Sequence, residues 1–412
     1  MNVTYLNSAS VLIEHDGVKV LCDPWLTGTA YEGSWYSYPP LDFDIEGEFA
    51  DIDAIYISHI HPDHLHVETL KRLPKVPVYI ATYHDGVVRG ILEGLGFHVF
   101  ELVGRATIQG NRYFHLQIIP ADDCDPEACG AWFGCVPPET DGRTTTQIDT
   151  MAVFSGGGKV VVNTNDCPYP LAHKTVERIK GEYGDIDFLL TGWTGAGPWP
   201  QCFPDERTEA NAISKKLKFI RRAWSFIWHL DPKHFMPFAG AHYLGGRFVD
   251  LNEWRGVPHH EEALDYFGGH PGCVLLNRRG TFHVERGVVD EPYTPQDPEA
   301  RDEWLESIRD KPMDYDGDTW TDNGIQELVK KASAGWGLDT DLVAKPFWAL
   351  NGIEIVTEEG TVSIDVASAL LQRILTQRSH FNVAEIGSHL EIRRDPQTYD
   401  RKLWRALWDF HV

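Results

Sequence analysis

Apolar and polar positions alternate at the start of the chain, and the alternation predicts a β-hairpin. Val3–Leu6 and Ser10–Glu14 lead into Val18–Leu21, with Asp16-Gly17 as the turn. The returning strand stops at Asp23-Pro24-Trp25. The stretch from Thr27 to Pro40, rich in Gly, Tyr and Pro, is too long for a simple connection and is a candidate site wall. Ala54–Ser58 reads as a short buried strand, after which Val67, Leu70 and Leu73 recur at helical spacing and Pro74 closes the helix. Val78–Ala81 is a second buried strand and Gly86–Leu95 a further helix. Phe114–Ile119, Met151–Ser155 and Lys159–Asn163 follow as strands, the last two joined through Gly156-Gly157-Gly158. Phe188–Leu190 and Phe235–Phe238 are strand-like, with the basic helical segment Ala210–Trp228 between them. Strands alternating with helices, opened by hairpins, predict an α/β fold whose sheets carry helices on their outer faces.

The texture changes near residue 290. Polar, acidic segments lead to a hairpin over Gly352–Ser363, then to a helix with Val366, Leu370 and Ile374 on one face. A last helix aligns Leu403, Leu407 and Phe410. This pattern predicts a main catalytic domain over residues 1–290 and an α+β extension over 291–412 that packs on it as a cap, without a second active site.

Composition narrows the function classes. Hydrophobic residues make up 42% and charged ones 24%, the profile of a folded globular chain. Acidic residues number 61 against 37 basic, a formal charge of -24. Such a surface excludes nucleic acid as the main partner, because binding phosphates needs local positive charge in excess. No basic segment precedes a long apolar one, and no run of 18 apolar residues occurs, so neither a secretory signal nor a membrane span is expected. Seven irregularly spaced cysteines suggest a reduced, cytoplasmic location.

The candidate chemistry centres on His59-Ile60-His61-Pro62-Asp63-His64. Alternate residues of an extended strand end leave on one side, so His59 and His61 share a direction, and Pro62 turns the chain to present Asp63 and His64. Imidazoles mixed with a carboxylate suit Zn, Fe or Mn better than Ca or Mg. A polar surface loop is the ordinary alternative, but this loop directly follows a buried strand, where α/β folds place their sites. Further ligands are expected at other strand ends. Asp166 follows Val160–Asn163, His242 follows Met236–Ala241, Asp23 closes the first hairpin, and Asp122-Asp123 closes Gln117–Pro120. Each also has a structural reading, as turn former, cap or core histidine. Cys124, Cys129 and Cys135 lack the spacing of a zinc or iron–sulfur site and are read as structural. Gly192–Pro200 carries Trp193 and Trp199, read either as a pocket rim that stacks a substrate ring or as a packed loop.

The His-x-His-x-Asp-His string resembles the signature of the metallo-β-lactamase superfamily. That resemblance implies an αββα sandwich with metals at one edge, Asp166 in the place of the bridging aspartate and His242 in that of the final histidine. Ile57–Leu65, Asn163–Cys167, Pro237–Gly240 and Arg394-Asp395-Pro396 with Tyr399 are similar, in the same order, to the C-terminal part of the CMP-N-acetylneuraminate hydroxylase family. This second resemblance implies an iron-dependent oxygenase that uses O2 and an external electron chain. Two departures stand out. The Rieske pattern of that family is absent, so electrons are expected from a separate, ferredoxin-type protein. The usual ligand histidine after Gln117–Pro120 is replaced by Asp122 or Asp123, a harder donor that favours Fe or Mn over Zn. The expectation is a non-haem, di-iron oxygenase acting on a small polar metabolite such as a nucleotide-linked sugar or amino compound. Its ligands are His59, His61, Asp63, His64, Asp123, Asp166 and His242, and Asp63 handles protons. The alternative is a metal-dependent hydrolase of an ester, lactone, amide or phosphodiester, with zinc or manganese as the alternatives to iron.

Overall fold

A computed structural model describes residues 1–108, 113–121, 148–240, 242–336, 344–349, 352–358, 360–398 and 400–412. The opening hairpin forms as its turn residues dictate. Asp16 and Gly17 take left-handed φ values of 50° and 79°, and His15 faces Val18 across the turn. Two left-handed central residues match the twist of the flanking strands. Gly157 and Gly158 repeat the solution between Thr150–Gly156 and Lys159–Asn163, with φ of 59° and 73°.

Two sheets result. The first has eight strands in the order Val288–Val289, Thr281–His283, Asn2–Asn7, Ser10–His15, Val18–Cys22, Ala54–Tyr56, Val78–Ala81 and Val99–Leu102. From Val18–Cys22 onward its strands are parallel. The second has six, in the order His234–Phe238, Phe188–Gly192, Lys159–Asn163, Thr150–Gly156, Phe114–Pro120 and Arg105–Thr107, and its first three are parallel.

Alternation decides which side chains meet. Val3, Val11, Ile13, Val20 and Tyr56 of the first sheet pack face to face with Phe114, Phe154, Val161, Phe188 and Met236 of the second. The intervening positions point outward. Leu21, Ile55, Val78 and Ile80 meet Leu70, Val88 and Leu92 on the helices Val67–Arg72 and Val87–Gly94. Val153, Val162 and Leu189 meet the helices His173–Tyr183 and Glu209–Leu230. This is an αββα sandwich.

The C-terminal part is larger than a hairpin and two helices. Gly352–Thr357 and Thr361–Val366 are the centre of a four-stranded antiparallel sheet flanked by Ala344–Ala349 and Leu390–Asp395. Val366 ends a strand, and the helix after it runs Ser368–Leu375. The sheet and its helices enclose a separate core of Ile325, Ile355, Ile364, Leu370, Ile392 and Leu403, to which Cys202 and Phe203 contribute from the sandwich side. Among the described residues, no helix is long and apolar enough to cross a membrane.

Candidate metal centre

The parallel strands of both sheets end at one edge of the sandwich, and the chemistry-bearing residues follow those ends. Asp23 comes after Val18–Cys22, His59 shortly after Ala54–Tyr56, and Asp166 after Lys159–Asn163. Polar contacts tie the two ends together. Asn165 Nδ2 donates to Tyr56 Oη at 3.0 Å and to the Thr150 carbonyl at 2.9 Å. Thr150 Oγ1 donates to the Ser58 carbonyl at 2.8 Å. The base of the histidine loop is thereby clamped between the sheets.

Asp23, fully buried, organises the loop. Its Oδ1 accepts from the Ser58 N–H at 2.7 Å, and its Oδ2 accepts from Ser58 Oγ at 2.6 Å and from His64 Nδ1 at 2.8 Å. With the Ser58 hydroxyl proton committed to Asp23, His59 Nδ1 donates to Ser58 Oγ at 2.9 Å. Both imidazoles are thus held by an Nδ1 proton, which leaves each Nε2 with a lone pair. This is how ligand histidines are oriented by partners outside the metal's own coordination sphere.

His59, His64 and Asp166 each offer a donor atom, and these atoms lie within 4.8 Å of one another. Asp166 Oδ2 is 3.4 Å and Asp63 Oδ2 3.5 Å from His64 Nε2, while Asp149 Oδ1 is 3.8 Å from His59 Nε2. The buried His64 Nε2 has no hydrogen-bond partner. An orphaned imidazole nitrogen facing two carboxylates fits a cation bound by a mixed N/O set.

The electrostatics agree. Burial works against charge on His64, but Asp63, Asp166 and Asp23 outweigh it and raise its proton affinity well above that of ordinary imidazole. A proton there partly balances the carboxylates, as a metal ion would. Burial, with His64 and His61 nearby, pushes His59 well below its usual range. Burial raises the Asp63 carboxyl to about 6 against the opposing pull of His64, and Tyr31 donates to its Oδ1 at 2.8 Å. Burial and the neighbouring Asp166 push Asp149 up to about 7.

The remaining expected residues have varied placements. His61 puts Nδ1 2.9 Å from His59 Nε2 and Nε2 2.8 Å from Asn382 Oδ1. His242 stands outside the three-residue group. Its ring stacks on Trp35 with centroids 3.3 Å apart, and its Nδ1 donates to the Gly240 carbonyl at 2.9 Å. Asp122, Asp123, Cys124, Cys129 and Cys135 lie outside the described residues.

Trp193 requires a correction. It is 1% exposed and packs edge-on against Phe267 under the second sheet, so it forms core there and no pocket rim. Its neighbours on the helix Glu209–Leu230 give that indole an apolar seat. Trp199 is half-buried against the C-terminal core, and its indole N–H donates to Glu206. Sequence reasoning missed Asp149, because an Asp just before an apolar strand reads as a turn. The available signal was pairing. Asp149 lies opposite Ala121, whose N–H donates to its carbonyl at 3.3 Å, so this strand end too brings a carboxylate to the edge.

Residues 2–124 match the family model described as beta-lactamase superfamily domain. A putative Rieske 2Fe-2S iron-sulfur protein of Mycolicibacterium smegmatis is 30% identical over 270 residues, covering 63% of this chain and 47% of that protein. The cytidine monophosphate-N-acetylneuraminic acid hydroxylase of Danio rerio is 25% identical over 252 residues, covering 58% of this chain and 38% of the hydroxylase. The chain therefore spans less than half the length of either relative. Among solved structures, isothiocyanate hydrolase from Delia radicum gut bacteria superposes with a TM-score of 0.46 at 13% identity, over 69% of this chain and 99% of the hydrolase.

Proposed function

We propose that this chain, a member of the metallo-β-lactamase superfamily, is an iron-dependent oxygenase of a small polar metabolite, of the nucleotide-linked sugar or amino-compound type. The observation that carries this reading is the similarity, over 252 and 270 residues, to a protein named as a hydroxylase and to one named as an iron–sulfur protein. Residues 1–290 carry the reaction in this reading, and residues 291–412 form the packed extension.

His59, His64 and Asp166 would hold a first ion. His61, Asp63 and His242 would complete a set for two, with Asp149 and Asp123 as further carboxylates. Redox-active iron supplies O2 activation when bound, which redox-inert zinc does not. The protein's own share is orientation and proton handling. Asp23 and Ser58 fix the ring tautomers of His59 and His64, so both Nε2 lone pairs face inward. Tyr31 donates to Asp63 Oδ1, which leaves Oδ2 as the oxygen that would meet an ion or handle a proton. Electrons come from a separate ferredoxin-type donor.

The test is anaerobic reconstitution with Fe(II) or with Zn(II), followed by candidate metabolites with and without O2. The iron form is expected to consume O2 in step with product, and the zinc form to be inert. Turnover by the zinc form without O2 ends the oxygenase reading and leaves metal-dependent hydrolysis in its place.

A further inference from the structure

The short helix Phe381–Ile386 and the residues after it belong to the C-terminal extension, yet they reach the metal centre at three points. Asn382 Oδ1 lies 2.8 Å from His61 Nε2. The Trp35 indole, which stacks on His242, donates to the Ile386 carbonyl at 3.3 Å. His389 Nε2 donates to the Tyr31 carbonyl at 2.8 Å, and Tyr31 is the residue whose hydroxyl holds Asp63.

The Asn382 contact is directional. Its Nδ2 donates to Glu385 Oε1 at 3.0 Å, while the other carboxyl oxygen accepts from the Trp404 indole N–H at 3.0 Å. A carboxyl group beside one end of the amide commits the NH2 to that side and turns the carbonyl oxygen toward His61. An amide oxygen only accepts, so the His61 proton resides on Nε2. The Nδ1 lone pair then faces His59 Nε2 across 2.9 Å, and the Nδ1 proton on His59 is already taken by Ser58. Two lone pairs converging in a buried site repel each other unless a cation draws both.

We propose that Asn382 is a positioning residue of the metal centre: held by Glu385, it selects the His61 tautomer that presents Nδ1 to the ion. On this view residues 381–389 complete the centre as well as covering it. The proposal rests on His61 being a ligand, and the experiment separates the two claims.

The experiment titrates the full chain with Co(II), recording the visible spectrum, and then measures Zn(II) affinity by competition with a chromophoric chelator. A wild-type protein that binds neither ion ends the metal reading itself. With wild type binding, Asn382→Leu removes the acceptor and is expected to weaken affinity about 10–100-fold, the usual effect of losing such a partner, and to change the Co(II) bands. Asn382→Asp keeps an acceptor oxygen, and a buried pair of carboxyls shares a proton, so the Glu385 side remains satisfied and affinity stays near wild type. Wild-type affinity and spectrum in Asn382→Leu overturn the proposal. So do equal losses in both variants, which indicate packing alone. If Asn382→Leu does not fold by circular dichroism, Asn382→Ser removes the amide without added bulk and carries the same expected loss.

Discussion

Replacing Asp23 by Asn exchanges one acceptor oxygen for a donor at a fully buried point of the centre. Three bonds converge on this carboxylate, from the Ser58 N–H at 2.7 Å, Ser58 Oγ at 2.6 Å and His64 Nδ1 at 2.8 Å. In Asp23→Asn the remaining oxygen still serves the Ser58 N–H, but an NH2 now faces Ser58 Oγ and His64 Nδ1. Two charge-assisted bonds, each worth about 1.5–3 kcal/mol, are lost. Part of that returns if Ser58 and His64 become acceptors, so net destabilisation of roughly 1–3 kcal/mol is expected. Once His64 Nδ1 accepts, its proton moves to Nε2, the atom 3.4 Å from Asp166 that would meet the ion. Metal affinity should therefore fall about 10–100-fold, equivalent to about 1.4–2.7 kcal/mol. Chelator competition with zinc reads the loss of affinity, and urea unfolding of the metal-free protein reads the loss of stability. An Asp23→Asn protein that binds zinc as tightly as wild type would refute the tautomer argument, whatever its stability.

Two further outcomes are expected. Burial pushes the Glu385 carboxyl from 4.5 to about 7. A raised acid favours folding in its protonated form, so its contribution is complete below 4.5 and is lost as pH rises through 7. Glu385→Gln should accordingly gain stability relative to wild type between pH 5 and pH 8, on the order of 3 kcal/mol at most, and urea unfolding that shows no pH-dependent difference counts against it. Deleting residues 290–412 should expose Cys202, Phe203 and the indole of Trp35 and cause aggregation. A soluble truncation with native circular dichroism, metal content and turnover speaks against the extension's role.

That His59, His61, Asp63 and His64 are neighbours was legible because they are contiguous and follow an apolar strand, so local geometry alone brings them together. Asp166 was legible as a strand end, since parallel strands deliver their C-terminal ends to one edge. The limits are equally physical. Trp193 sits in a Gly-rich stretch that resembles a pocket wall, but the helix that buries it lies elsewhere in the chain. Val99–Leu102 and Arg105–Thr107 are short edge strands with partly exposed faces, too brief for periodicity to mark. The helix His173–Tyr183 buries only Thr175, Val176 and Ile179 among charged neighbours, a weak stripe. Asn382 carries no local signal at all, because its meaning depends on a histidine 321 residues away.

That separation bears on the order in which the centre can be built as the chain is made. The strand Asn2–Asn7 pairs on one side with Thr281–His283, and 277 residues separate Thr4 from Thr281. The first sheet cannot complete its order until most of the sandwich has emerged, which makes its closure a slow, non-local step. His59 and His64 are synthesised early but gain Asp166 only after the second sheet begins to form, and His61 meets Asn382 later still. A metal ion offered during synthesis encounters isolated histidines first and the assembled set last. Tight loading is therefore a property of a chain that has grown past Asn382, and one stalled before it should carry metal weakly or not at all.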